Sequence, residues 1–172
     1  MKALVITRLS GLDGLAVQDM PEPAPQPGQS LIRVAAGGLN FADLMTTKGG
    51  YPGTPPPPLI AGREFSGTEA STGRRVMGYA QWAAFAEKTT AHPHLLWPTP
   101  EHWTNEQAAA FPVNFFTAYL AYWQAGLTDP ERNASSPTPR VLIHAAAGGV
   151  GTAAIQIGKI LGVEMLDRKS TV

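Results

Sequence analysis

The segment HAAAGGVGTAAIQIGKILG at residues 144–162 carries the clearest pattern for chemistry in this sequence. An apolar run typical of a buried strand leads into a glycine-rich turn, and a helix follows. At the spacing of the dinucleotide fingerprint G-x-G-x-x-G stand Ala146, Gly148 and Gly151, so alanine replaces the first glycine. Gly148 and Gly149 would let a pyrophosphate approach the backbone, and the first helical turn would bind its charge.

This turn has two interpretations. Glycines also form tight strand-to-helix turns that bind nothing, and the turn taken alone favours neither interpretation. The small residues Ala153 and Ala154, together with the order strand, turn, helix, favour the cofactor. A nucleotide-binding turn is therefore predicted here.

Composition excludes several other kinds of chemistry. The 172 residues contain no cysteine, which removes disulfides, thiolate nucleophiles and every cysteine-ligated metal site. Lysine plus arginine and aspartate plus glutamate are 13 each, so no basic excess favours nucleic acid. No apolar run is long enough to span a membrane. These features predict a cytoplasmic protein without a nucleic-acid or membrane partner.

Short β-type segments separated by glycine- and proline-rich turns make up the first part of the chain. The pattern predicts a short helix from Asn40 to Thr47 and a stiff extended loop over 51–58, where four prolines follow one another. Such a series of short strands is typical of a small, partly open barrel or a sandwich. The predicted strands are 2–6, 15–19, 30–36, 64–69, 75–78 and 82–87.

The pattern changes at Thr104. Thr104 and Gln107 form a capping-box pattern that opens a helix, and Pro112 begins a second helix that Gly126 ends. A polar linker is predicted over 127–139. A buried strand, RVLIHAAA, comes next, then the glycine turn with its helix, and then a strand at VEML. The predicted fold is therefore α/β with a β-rich first part, and we place the boundary between domains 1–103 and 104–172.

Three segments in register resemble one known family. They are GGLNFADLM, AAAFPVNFFTAYLAY and the glycine-turn segment. Together they resemble the medium-chain dehydrogenase/reductase superfamily, and within it the quinone oxidoreductase (zeta-crystallin-like) branch. The resemblance runs from Met1 to about Gly162.

The resemblance implies a GroES-like, partly open β-barrel for the substrate, followed by the first β-α-β unit of a Rossmann domain. It implies a nicotinamide cofactor in the cleft between them, NADP(H) in preference to NAD(H). The hydride would pass to a small molecule: a quinone, an enone or a similar activated double bond. The family also implies a homodimer.

The resemblance assigns candidate site residues one by one. Asn40 would face the nicotinamide and substrate, and Tyr51 would lie near the cofactor or substrate; these are the catalytic candidates. Asn40 and Asp43 could equally be the N-cap and third residue of the short helix, and both roles can hold together. The cofactor-binding candidates are Asn114, Thr117, Ala147, Gly148, Gly149, Val150 and Gly151.

The sequence departs from the zinc alcohol dehydrogenases of this superfamily at the ligand positions. Asn40 stands at the first ligand, and Gly62-Arg63-Glu64 replaces the Gly-His-Glu triplet. Without cysteine, zinc is excluded by the ligand inventory, and we predict no metal. We expect Glu64 to form a structural ion pair with Arg63, Arg74 or Arg75, and His144 to be a satisfied core histidine.

The end of the sequence, DRKSTV, no longer resembles the family, whose members continue for about another domain. A Rossmann half-site would supply the pyrophosphate turn alone, so we expect little turnover from this chain by itself. The edge of the last strand would be tied down by dimerisation or strand exchange. The alternative is a truncated, catalytically inactive GroES-like binding fragment.

Overall fold

The computed structural model describes residues 1–129, 131 and 137–168, with backbone alone at 167 and 168. The chain divides into two compact units, Met1–Pro112 and Val113–Val172, called unit 1 and unit 2 below. Part of the predicted linker over 127–139 lies outside the described residues, as do the last four residues of the chain. Among the described residues, no helix combines the length and the hydropathy needed to cross a membrane.

Unit 1 contains two antiparallel sheets. One has the order β2-β1-β4 and the other β7-β3-β5-β6-β8. The strands are β1 (Lys2–Ile6), β2 (Leu15–Asp19), β3 (Ser30–Gly38), β4 (Leu59–Ile60), β5 (Glu64–Glu69), β6 (Arg75–Tyr79), β7 (Lys88–Ala91) and β8 (Leu96–Pro98). The helices are α1 (Phe41–Thr47) and α2 (Asn105–Ala109). This architecture confirms the predicted β-rich first part.

The predicted strand at 82–87 is wrong. Ala83 has a φ of 69°, in the left-handed region that a continuous strand does not allow. Ala86 makes one isolated bridge to Ala3, and the regular strand β7 begins only at Lys88. Tertiary packing determines this path, because the partly buried Phe85 side chain packs against both hydrophobic clusters of unit 1.

Two other strands are longer than predicted, and the short strands β4, β7 and β8 were not predicted. β3 continues to Gly38 and carries a bulge between Val34 and Ala36, which lets it stay paired with β5. β6 continues by one residue to Tyr79. Alternation of apolar and polar residues cannot show these extensions, since the residues added at the strand ends are glycines and a partly buried tyrosine.

A fully buried cluster lies on the larger sheet and its neighbouring segments. Its members are Ile32, Phe65, Val76, Ala80, Ala84 and Ala91. A smaller cluster of Ile6, Leu59 and Ala61 lies by the three-stranded sheet. Helix α2 packs on β3 and β5. The compact unit therefore includes α2 and ends at Pro112, and the domain boundary after residue 103 stays a prediction.

Glu69, at the end of β5, is buried, and several side chains donate hydrogen bonds to it. Its carboxylate accepts hydrogen bonds from Ser30 Oγ at 2.6 Å, from the Thr72 hydroxyl and from Arg74 Nη2 at 3.0 Å. The hydrogen bonds from Ser30, Thr72 and Arg74 lower the pKa of Glu69 to about 2. The charged form is therefore the one that the fold stabilises.

A depressed carboxyl pKa makes a prediction about acid stability. The stabilisation is complete above the ordinary pKa of 4.5 and is lost as the pH falls from there towards 2. Glu69→Gln should therefore lower the Tm by about 4 °C at pH 7 and have almost no effect near pH 2. Melting curves from pH 2 to 7 test this, with the exposed Glu101→Gln as control. A constant difference between parent and Glu69→Gln over this range would contradict the prediction.

Unit 2 has a β-α-β order. Helix α3 spans Pro112–Gln124, strand β9 Arg140–His144, helix α4 Gly149–Ile160 and strand β10 Glu164–Arg168. β9 and β10 pair in parallel, in register from Arg140 opposite Glu164. The predicted strand, turn, helix, strand sequence is confirmed, as is the predicted start of α3 at Pro112. The Thr104–Gln107 capping box that opens α2 is also confirmed, with bonds of 3.0 and 3.2 Å.

Among the described residues, strand β9 is buried on one face and exposed on the other, so the prediction that both faces are buried is wrong. Val141 packs against the core formed by Tyr122, Leu127 and Val163, and Ile143 is buried, whereas Leu142 is 52% exposed and His144 is exposed. His144 is therefore not a core histidine here. The helices α3 and α4 pack on one face of this strand, and among the described residues no element covers the other.

Candidate functional site

The short helix α1 places the first catalytic candidate. Asn40 is its N-cap, and the backbone N–H of Asn40 donates to Asp43 Oδ2 at 2.8 Å. The predicted capping role of Asn40 and Asp43 is confirmed. The Asn40 side chain also makes a contact outside the helix: its Nδ2 donates to Glu64 Oε1 at 2.7 Å. The helix cap and the bond to Glu64 together hold the Asn40 side-chain amide in one orientation.

Glu64 and Asp43 are both buried acids beside this amide. Glu64 has no exposed surface, and Asp43 is 5% exposed. Burial raises the pKa of Asp43, and the Asn40 N–H bond and the nearby Arg63 charge oppose that rise. Glu64 has further interactions besides this hydrogen bond, and its ion pair with an arginine stays a prediction. Arg74 bonds to Glu69, and Arg75 donates to the carbonyls of Glu101 and Trp103.

Arg63 connects this cluster to the second catalytic candidate. It is 4% exposed, and its guanidinium carbon lies 4.0 Å from the ring centroid of Tyr51 and 4.1 Å from that of Trp82. Nη1 donates to the Gln81 carbonyl at 3.3 Å and Nη2 to Thr46 Oγ1 at 3.4 Å. Nε is buried and has no hydrogen-bond partner among the described residues.

Tyr51 lies in the predicted loop over 51–58, with its ring half-buried. Its carbonyl accepts hydrogen bonds from the hydroxyl and the N–H of Thr54, at 2.6 and 3.2 Å, so a tight turn holds the backbone. Within the described residues, the Tyr51 hydroxyl makes no hydrogen bond. The structure therefore joins Asn40 and Tyr51 through Arg63, and it leaves one phenol available to a ligand.

Sequence reasoning missed the structural importance of Arg63 and Trp82. The Gly62-Arg63-Glu64 triplet is a departure from a zinc motif, but nothing in it indicates that Arg63 stacks between two rings. Trp82 packs against the cluster of Ile6, Leu59 and Ala61, and it also contacts the Arg63 guanidinium. These pairings depend on loops that meet only in the folded chain.

The glycine turn of unit 2 has the geometry of a strand-to-helix anion site. β9 ends at His144 because Ala145 adopts a φ of 53°, so the strand predicted to run to Ala147 is shorter. Gly148 is the N-cap of α4, and its N–H donates to the Ala145 carbonyl at 2.8 Å. The N–H groups of the first helical turn have no partner inside the helix, and the helix dipole adds positive potential there.

Two glycines of the turn are closely packed on the side where a Cβ would project. A Cβ on Gly149 would lie 2.4 Å from Asn114 Oδ1, and one on Gly151 would lie 2.5 Å from the Ala145 carbonyl oxygen. The predicted cofactor residues Asn114 and Gly149 are thus brought together. Gly148 and Gly149 are both exposed at the N-terminus of α4, a place where helices bind anions.

The other predicted cofactor residues lie on accessible surfaces near these elements. Thr117 is exposed on α3, one turn after Asn114, and the described contacts do not connect it to the glycine turn. Ala147 and Val150 are exposed in the turn itself and the first residues of α4. Over the residues the structure describes, no three histidine, aspartate or glutamate side chains converge to hold a metal.

Comparisons with known proteins agree with this arrangement. Residues 26–101 match the alcohol dehydrogenase GroES-like domain. The quinone oxidoreductase from Thermus thermophilus, solved also with NADPH, shares 40% identity and a TM-score of 0.82 over 97% of this chain. The chain belongs to the medium-chain dehydrogenase/reductase superfamily.

Other members of this superfamily show the same likeness. The human synaptic vesicle membrane protein VAT-1 homolog is 38% identical over 91% of this chain. The CurK enoyl reductase shares 29% identity with a TM-score of 0.82 over 99% of it. This chain spans 41% of the VAT-1 homolog, 52% of the Thermus chain and 54% of the CurK chain. It therefore spans about half the length of the proteins it resembles.

Proposed function

We propose that this chain provides the substrate-binding residues and the pyrophosphate turn of a zinc-independent, NADP(H)-dependent reductase. Its acceptor would be a quinone, an enone or a similar activated double bond. The observation that carries the proposal is the position of Gly148 and Gly149 at the N-terminus of α4, where two exposed residues without side chains leave the backbone of the first helical turn accessible. The likeness to a quinone oxidoreductase solved with NADPH supports the choice of cofactor and acceptor.

The residues of unit 1 would bind and orient the acceptor. The Tyr51 hydroxyl, without a partner in the described residues, can donate to an acceptor carbonyl oxygen. The Asn40 amide is held by Glu64 at 2.7 Å, so it presents a fixed face to a ligand. NADPH would supply the hydride, and catalysis would depend on positioning against an acceptor already made electrophilic by conjugation. Water can deliver the final proton.

The side chains at the former zinc positions support zinc independence. Asn40 donates its amide hydrogen to Glu64, and Arg63 is a cation without any acceptor atom, stacked between two rings. Neither offers a metal ion the soft thiolate or imidazole donors that catalytic zinc uses. The chemistry of these side chains therefore favours positioning over Lewis-acid activation.

A second candidate is a GroES-like binding fragment without catalytic activity. The observation that favours it is the match of residues 26–101, which lie within unit 1, to the alcohol dehydrogenase GroES-like domain. The homodimer implied by the family resemblance stays a prediction, and sedimentation of the purified chain would test it.

Nucleotide binding separates these two candidates. We expect the 172-residue chain to bind NADPH, more tightly than NADH, and to oxidise it with duroquinone slowly or not at all. Fluorescence titration measures the binding, and loss of NADPH absorbance measures the rate, with and without EDTA as the metal control. Absence of NADPH binding would favour the binding fragment. An ordinary enzymatic rate from a monomer would show that unit 1 and one β-α unit suffice.

A further inference from the structure

Burial of Arg63 is unfavourable, and its hydrogen bonds do not offset the lost hydration. The two bonds that it donates are long, at 3.3 and 3.4 Å, and its Nε has no partner among the described residues. A buried charge with incomplete hydrogen bonding destabilises a fold relative to an apolar side chain of similar volume. Stability alone therefore does not explain an arginine at this position.

What the guanidinium supplies is a flat cation between two rings. Its carbon lies 4.0 Å from the Tyr51 centroid and 4.1 Å from the Trp82 centroid. Each ring face attracts the cation, and the planar group stacks where a lysine ammonium would act as a point charge. The hydrogen bonds to Gln81 and Thr46 fix the plane of the Arg63 guanidinium relative to α1 and to the segment that carries Trp82.

Within the described residues, the Tyr51 side chain makes no hydrogen bond, and its ring lies against Arg63. The surrounding sequence, KGGYPGTPPPP, is rich in glycine and proline, and the described bonds of Tyr51 itself involve its backbone carbonyl. The ring therefore depends on Arg63 for its position. Arg63 in turn lies beside Asp43, whose negative charge balances part of its own.

We propose that Arg63 is a positioning residue, whose guanidinium lies against both the Tyr51 and the Trp82 rings and fixes the Tyr51 ring so that the phenol faces the acceptor. This inference rests on the proposed function, because it takes Tyr51 as a substrate-facing group. Arg63 touches neither substrate nor cofactor in this scheme. It acts through Tyr51, and its removal should matter only while Tyr51 is present.

The first measurement follows the Tyr51 ring without any substrate. In the full chain labelled with 3-fluorotyrosine, the ¹⁹F resonance of Tyr51 is assigned by its loss in Tyr51→Phe. We expect Arg63→Met and Arg63→Lys to move this resonance towards the position of free fluorotyrosine, while those of Tyr79, Tyr119 and Tyr122 stay in place. Arg63→Lys should not restore the Tyr51 resonance, because the lysine ammonium is a point charge without a planar group to stack on the ring. An unchanged Tyr51 resonance in both variants would overturn the inference.

The second measurement asks whether that position matters for binding. Duroquinone affinity, followed by fluorescence quenching, should fall about tenfold in Arg63→Met, the size of a buried cation–π contact. In a Tyr51→Leu background the same substitution should have no further effect. An equal loss in both backgrounds would show that Arg63 acts independently of Tyr51, against the inference. If the parent chain binds no duroquinone, the proposed function fails first, and the inference fails with it even when the ¹⁹F resonance moves.

Discussion

Replacing Gly149 by valine is expected to weaken NADPH binding by about tenfold or more, because charge-assisted hydrogen bonds from the turn would be lost. The new Cβ would lie 2.4 Å from Asn114 Oδ1 and 2.9 Å from its Cγ. These atoms are the end of a side chain, which can shift at a smaller cost in stability than backbone atoms can. The substitution should therefore place a branched side chain in the nucleotide turn while lowering the Tm by only a few degrees.

A matched variant at another glycine of the turn separates binding from folding. A Cβ on Gly151 would lie 2.5 Å from the Ala145 carbonyl oxygen and 2.6 Å from the Ala146 Cα, both backbone atoms that cannot rotate away. Gly151→Val should consequently unfold unit 2 rather than merely weaken binding. NADPH titration and thermal melting of both variants test the pair. Equal NADPH affinity in Gly149→Val and the parent would return the turn to a purely structural role.

Replacing Asn40 by aspartate is expected to destabilise unit 1 by about 3 to 5 kcal/mol at neutral pH, because a second carboxyl group would face the buried Glu64 carboxyl. The new carboxylate would stand where the amide now donates to Glu64 Oε1 at 2.7 Å. Glu64 is fully buried, and two carboxylates at that distance cannot both ionise. They would share one proton, and the pKa of the pair would be raised.

The pH dependence of this loss identifies its cause. When folding raises a carboxyl pKa, the loss of unfolding free energy in Asn40→Asp is small below about pH 4, the carboxyl pKa of the unfolded chain. The loss grows as the pH rises. Asn105→Asp is the matched control, because Asn105 Oδ1 accepts from Arg75 Nη2 at 3.3 Å and a carboxylate there would gain a cation. Melting curves from pH 4 to 8 distinguish the two variants. An Asn40→Asp deficit that does not change with pH would exclude carboxylate repulsion.

Local patterns predicted most of the elements well. The β-α-β order of unit 2, the capping box at Thr104 and the start of α3 at Pro112 all follow from interactions between residues close in sequence. The predicted strand at 82–87 is wrong because long-range packing, rather than strand pairing, determines the conformation of its residues. Phe85 reaches two clusters, and Ala83 takes a left-handed conformation to allow it.

The sequence by itself determined the kind of turn at residues 148–151, the absence of cysteine chemistry and the capping role of Asn40. Each depends on composition or on neighbours within a few positions. Only the tertiary structure decided that Asn114 lies against Gly149 and that Arg63 stacks between Tyr51 and Trp82. These contacts join loops and helices far apart in the chain. Their geometry follows from how the elements pack, which no local periodicity encodes.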